Sequence, residues 1–121
     1  MNLPPELPGI WQAIAATING EELPAREIDA IRLTLTATRF TTTRAGQSLF
    51  DSSYSIDRSA TPMQIEMIGV EDFAGQPARG IYALEGDTLR LCYKTPGFPR
   101  PTEFTSQPGS GAFLIILKRL E

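Results

Sequence analysis

The sequence predicts an all-β domain: an up-and-down meander of about eight antiparallel strands closed into a barrel, with one short helix after the first strand. Three observations predict it. From Arg32 onward, apolar and polar residues alternate with period two, as in strands with one dry face and one wet face. Turn-forming clusters, among them Asn19-Gly20, Arg44-Ala45-Gly46 and Glu85-Gly86-Asp87-Thr88, separate the alternating runs. The connections are too short for crossovers, so neighbours in sequence pair as neighbours in space, and closing the meander removes its two exposed edges.

Each element follows from local chemistry. Leu3 to Pro8 holds three prolines, which remove backbone donors and favour extended chain. Gly9 then releases the chain into Ile10 to Ile18, read as a strand because Gly9 precedes it and Asn19-Gly20 follows. Pro24 to Ile31 is the one helix: Pro24 suits the first helical position, Glu27 the first turn, and Ile28 and Ile31 recur three apart. Such a helix can plug the end of a barrel with its apolar stripe. Leu33, Leu35 and Ala37 alternate with Arg32, Thr34, Thr36 and Thr38. Phe40 to Thr43 and Gln47 to Ile56 form a hairpin, with Phe50, Ser52, Tyr54 and Ile56 sharing a face. Met63, Ile65 and Met67 make the next inward set, and Gly80 to Leu84 and Leu89 to Tyr93 flank the clearest turn. Thr95 to Gly111 reads as a rigid loop carrying a short edge-like strand over Thr102 to Thr105, and Ala112 to Leu120 as a closing strand covered on both faces.

The 121 residues fit one domain spanning 1–121, and 41% hydrophobic residues suffice for a core. A net charge of −3 with scattered basic residues argues against nucleic acid as a partner. The longest apolar run, Ala112 to Leu117, has 6 residues, far short of a membrane span. The first residues lack a basic and an apolar signal region, so the chain reads as cytoplasmic. Cys92 is the single cysteine, so no disulfide forms within the chain. Histidine is absent, which removes His-based triads, bases and metal sites. Neither a metal nor a cofactor is expected.

Gly9-Ile10-Trp11 resembles the Gly-x-Trp that opens the first strand of lipocalins. The resemblance implies that Trp11 seals the barrel base and that a basic residue of the last strand, Lys118 or Arg119, lies over it. The segments Gly80 to Tyr93, Arg100 to Phe104, Pro108 to Gly111 and Leu117 to Arg119, with Asn19-Gly20-Glu21-Glu22-Leu23-Pro24 near the start, resemble a bacterial lipocalin-like domain family of unknown function, abundant in planctomycetes. The likeness covers nearly the whole chain and is weakest from Thr38 to Ala74. It implies a lipocalin-like barrel but no settled activity. Many members look exported, and this chain departs from them in lacking a leader.

Five residues are candidate ligand contacts. Arg100 and Glu103 flank Pro101-Thr102, where the guanidinium can fork onto the carboxylate and pin the loop, or where Arg100 can meet an anionic group at the barrel mouth. Alternation places Tyr54 and Tyr93 inward and Tyr82 on the face of Leu84, and each can aim a hydroxyl into a lumen or simply fill the core. Ala13, Ala15 and Thr17 share the face of Trp11 and leave room inside. Cys92 alternates with Arg90 and Lys94 on the outer face, where positive charge can lower a thiol pKa, but with no histidine base in the chain it reads as an inert strand cysteine. The carboxylates Asp51, Asp57, Glu66, Asp72, Glu85 and Asp87 read as solvated faces and turns.

No catalytic constellation is visible, so the expected function is not enzymatic. The leading expectation is a module that holds a small apolar or amphipathic ligand in its barrel. The alternative is a structural or protein-interaction domain with a packed core and no ligand.

Overall fold

The computed structural model describes residues 7–68, 76–94 and 98–120, without the side chains of Leu49 and Phe50. The extended opening expected at Leu3 to Glu6, the solvated Asp72 and the inward placement of Phe50 lie outside the described residues. The strands are β1 (Gly9–Ile18), β2 (Glu21–Glu22), β3 (Ile31–Leu35), β4 (Arg39–Arg44), β5 (Gln47–Asp57), β6 (Met63–Ile68), β7 (Ala78–Glu85), β8 (Thr88–Lys94) and β9 (Ala112–Arg119), and helix α1 (Ala25–Asp29) lies between β2 and β3. From β3 to β9 each strand pairs antiparallel with the next, and β1 pairs with both β3 and β9. The result is a closed eight-stranded barrel with β2 as a short flap beside β1.

The two-residue turns follow their sequences. Asn19 and Gly20 have φ of 52° and 88°, and Ala45 and Gly46 have φ of 53° and 84°. Two successive left-handed residues make the tight hairpin turn whose twist matches the strands. The helix is shorter than expected, because Ala30 ends it and Ile31 already begins β3. Ile28 and Leu23 still pack against the core, so the helix caps part of one barrel end. Thr102 to Thr105 is not a strand but a bend. Its backbone has no neighbour strand because β8 and β9 pair directly with each other.

One departure from simple alternation lies in β1. A β-bulge between Ala13 and Ala15 adds a residue to that strand and reverses the facing of everything beyond it. Ala13 and Ala16 therefore point inward, while Ala15 is exposed; the expected inward set of Ala13, Ala15 and Thr17 is corrected accordingly. Gly80 in β7 is required by close approach: a Cβ there would stand 2.5 Å from the Cys92 carbonyl oxygen and 2.6 Å from the Tyr93 Cβ.

The inward residues form one cluster that includes Trp11, Leu33, Phe40, Met67, Tyr82, Leu91 and Leu117, all at most 2% exposed. A second, smaller core lies outside the wall. There the 98–111 segment crosses β7 and β8, and Phe104 and Leu114 cover Ile81, Cys92 and Ala112. This segment is tied to the first hairpin: Gly20 N–H donates to Ser106 Oγ at 3.0 Å and Gly111 N–H to Asn19 Oδ1 at 3.0 Å.

Candidate functional site

The barrel has one sealed end, built from the first and last strands. Trp11 and Arg119 are directly opposed in the β1–β9 ladder. The Trp11 indole is fully buried and donates from Nε1 to the Leu7 carbonyl at 2.9 Å. The Arg119 guanidinium lies 4.3 Å from the centre of the indole ring and donates to the Pro8 carbonyl at 2.9 Å. A cation over the indole face is attracted by the ring quadrupole, and the arginine stem adds apolar cover. Of the two basic residues expected over Trp11, Arg119 takes the position; Lys118 is exposed.

Above this floor stand the three tyrosines, all on inward-facing positions. Tyr54 is half-buried and donates to the Thr36 carbonyl at 2.6 Å. Its ring meets Phe40 edge-on at 6.4 Å. Tyr82 is buried, and Tyr93 is buried with its ring stacked on Phe113 at 5.0 Å. Burial pushes the phenols of Tyr54 and Tyr93 above their ordinary pKa, because the apolar wall disfavours a phenolate. They stay neutral near pH 7.

Arg100 and Glu103 stand apart from the tyrosines, outside the barrel wall. Arg100 Nη1 donates to the Ile65 and Gly80 carbonyls at 2.9 and 2.8 Å, bridging β6 and β7. Its Nη2 pairs with Glu66 at 3.3 Å, and Arg79 pairs with the same carboxylate oxygen at 3.3 Å. The pinning role expected of Arg100 is thus present, but with Glu66 as the described partner in place of Glu103. Glu103 is exposed and lines a depression of about 220 Å³ on the outer face with Lys94, Thr102, Gln107 and Ser110. A second outer depression of about 200 Å³ runs beside Arg100, lined by Ser55, Asp57, Gln64 and Glu66. Hydrogen bonds from Ser59, and more weakly the charge of Arg100, hold the Asp57 carboxyl below its ordinary pKa.

Cys92 does lie on the outer face, as alternation predicts, but the 98–111 segment buries it and its Sγ donates to the Thr105 carbonyl at 3.4 Å. Burial raises its thiol pKa and outweighs the nearby Lys94. The expected lowering by neighbouring charge is therefore overturned: loss of solvent costs the thiolate more than a partly exposed amine returns.

Two residues that matter were not singled out in the sequence. Ser52 is fully buried on the inward face of β5, and its hydroxyl has no hydrogen-bond partner among the described residues. Its signal was a polar residue on an otherwise apolar face. Gln12 gathers four backbone carbonyls around its amide nitrogen, which no sequence pattern announces. Among the described residues no group of three or more acidic, Cys or His side chains is placed to hold a metal ion, and no helix is long and apolar enough to cross a membrane.

The fold and this geometry define a small closed β-barrel with an apolar interior and one sealed end. Comparison with known protein families, curated proteins and solved structures finds no match to this chain.

Proposed function

We propose that the chain is a lipocalin-like binding module that takes a small apolar or amphipathic molecule into its barrel, rather than an enzyme. The observation that carries this reading is the closed apolar barrel floored by Trp11 and Arg119. Trp11 and Arg119 seal one end, and four inward positions above it hold nothing larger than Ala or Ser: Ala13, Ala16, Ser52 and Ala78. An eight-stranded barrel is just wide enough for side chains to fill or to hold one small ligand. These four small residues are at most 3% exposed, so a guest enters by displacing the side chains packed over them. The indole under a last-strand arginine is also the feature by which the sequence resembles lipocalins, and it supports that kinship.

A second reading, a packed structural or interaction domain, is favoured by the large inward side chains. Trp11, Phe40, Tyr82 and Met67 all bury completely within one continuous cluster. One experiment separates the two. Thermal unfolding with a panel of apolar and amphipathic probes (1-octanol, octanoate, decanal, anilinonaphthalene sulfonate) should show a saturable rise in Tm for at least one probe, because a ligand that binds only the folded state stabilises it by mass action. Native mass spectrometry should show a one-to-one adduct for the same probe. A Tm that stays flat across the whole panel supports the packed domain and ends the ligand reading.

A further inference from the structure

The β1 bulge turns an isoleucine to water. Ile14 and Ala15 are consecutive and both exposed, between the inward Ala13 and Ala16. At 53%, Ile14 is the most exposed large hydrophobic among the described residues. Ile116 of β9, half-buried on the outer face, stands opposite Ala15 in the ladder and extends the apolar strip. A polar row closes each end of that strip. At one end the paired residues Arg32, Gln12 and Lys118 run from β3 through β1 to β9, and both cations are exposed. At the other end exposed Glu22 of β2 pairs with Thr17 of β1. Gln12 and Thr17 face outward because Trp11, Ala13 and Ala16 face in, and residues opposed across a ladder share a face. Arg32 and Glu22 therefore lie on one outer face, each one strand from β1 and both on the side away from β9. The two rows are about 13 Å apart, the rise of about 3.3 Å per residue taken from Lys118 to Leu114. Neither Arg32 nor Glu22 takes part in an ion pair among the described residues.

We propose that this face docks on the same face of a second copy of the chain, about a two-fold axis that lies in the contact plane and crosses β1 at right angles beside Ile14. Rotation about such an axis reverses the direction of β1 but leaves each flank of it on its own side. Ile14 of one copy then packs on Ile14 and Ala15 of the other at the centre. At the rim, Arg32 of each copy meets Glu22 of the other, so the contact is self-complementary in charge as an isologous interface requires. A second copy fits because cation and anion stand at matching positions on either side of the apolar centre. That centre is small, so the dimer is weak, half-dissociated at about 10–100 μM. The face lies outside the barrel wall, and the proposal is independent of the ligand-binding reading.

The test is sedimentation velocity on the full chain from micromolar to millimolar concentration, with the Tm of every variant measured alongside. The unaltered chain should pass from monomer to dimer across that range. Ile14 is exposed, so Ile14→Glu should keep its Tm and weaken the dimer at least tenfold. Ile14→Lys should do the same, which separates loss of the apolar contact from the sign of the added charge. Arg32→Glu and Glu22→Arg should each weaken association about fivefold by opposing like charges, and the chain carrying both should return to within about twofold of the unaltered one. A chain that stays monomeric at millimolar concentration overturns the proposal and leaves the face to solvent or to a different partner. A dimer indifferent to both Ile14 substitutions overturns it by placing the contact elsewhere. Failure of the double charge swap to restore association overturns the two-fold arrangement.

Discussion

Gln12 offers the sharpest test of how the barrel seam is held. On the β3 side, β1 pairs only through Gly9 to Gln12, and beyond that point α1 and β2 fill the gap. Gln12 Nε2 sits at this fork, 3.1 Å from the Ala13 carbonyl oxygen, 3.2 Å from that of Ile28, and 3.1 Å from those of Asp29 and Ile31. Its Oε1 accepts from Arg32 Nε at 3.3 Å. Ile28 and Asp29 end the helix, where carbonyls lack partners within it. An amide has two N–H donors, so the four acceptors share them.

Gln12→Ala removes both donors. At about 0.5–1.5 kcal/mol net per hydrogen bond, the loss is about 1–3 kcal/mol. Gln12→Glu is nearly isosteric but replaces donors with a negative oxygen facing carbonyl dipoles, so at pH 7 it should destabilise at least as much as Gln12→Ala. For a domain of this size that is a fall in Tm of roughly 4–12 °C. The carbonyls disfavour the carboxylate, so the folded-state pKa of the new glutamate lies above its unfolded value of about 4.3. Stability is then recovered as the pH falls through the folded pKa toward that value, and lost as the pH rises. The assay is thermal unfolding by circular dichroism of the unaltered chain, Gln12→Ala and Gln12→Glu from pH 4 to pH 8. A Gln12→Glu chain that melts within 1 °C of the unaltered one at pH 7, or whose deficit does not change with pH, would refute the carbonyl-cage argument.

Two further predictions concern the floor and the outer core. Trp11→Ala should cost about 3–5 kcal/mol in urea unfolding, and Arg119→Met about 1–3 kcal/mol, since it keeps the stem but loses the cation over the ring and the bond to Pro8. An unchanged urea midpoint for Trp11→Ala would rule out its place as the barrel seal. Cys92 should react slowly with a thiol reagent at pH 8 in the folded chain and fast in denaturant, and Phe104→Ala, which uncovers it, should speed the native reaction. Cys92, Tyr54 and Tyr93 all have raised pKa values in the fold. Their deprotonation therefore favours the unfolded chain, and stability should decline as pH climbs past about 9; a melting temperature that stays level from pH 8 to pH 11 would contradict it.

Much of the architecture was legible along the chain because its causes are local. Period-two alternation follows from the pleat, and Asn19-Gly20 and Ala45-Gly46 can adopt left-handed turns that bulkier residues resist. That Tyr54 and Tyr93 face inward follows from parity alone. The β1 bulge was not legible, because the insertion of Ile14 is set by the pairing of β1 with β9, which is distant in sequence, and not by β1 itself. Neither was the fate of Thr102 to Thr105, where a strand-like run found no free edge.

The candidate site divides along the same line. Outside β1, where the bulge moved the inward set from Ala15 to Ala16, the residues that point into the barrel followed from spacing, and the absence of histidine chemistry from residue type. What each polar group meets was decided only in three dimensions. Arg100 and Glu66 are distant in sequence and joined by the passage of one segment over another, so Arg100 became a brace across β6 and β7 instead of a receptor beside Glu103. The same segment turned Cys92 from a surface thiol into a buried one. Ser52 stands in the inward row of β5 for anyone reading the sequence. That its hydroxyl has no partner among the described residues is visible only in the fold, because hydrogen-bond satisfaction depends on contacts that only closure of the barrel creates.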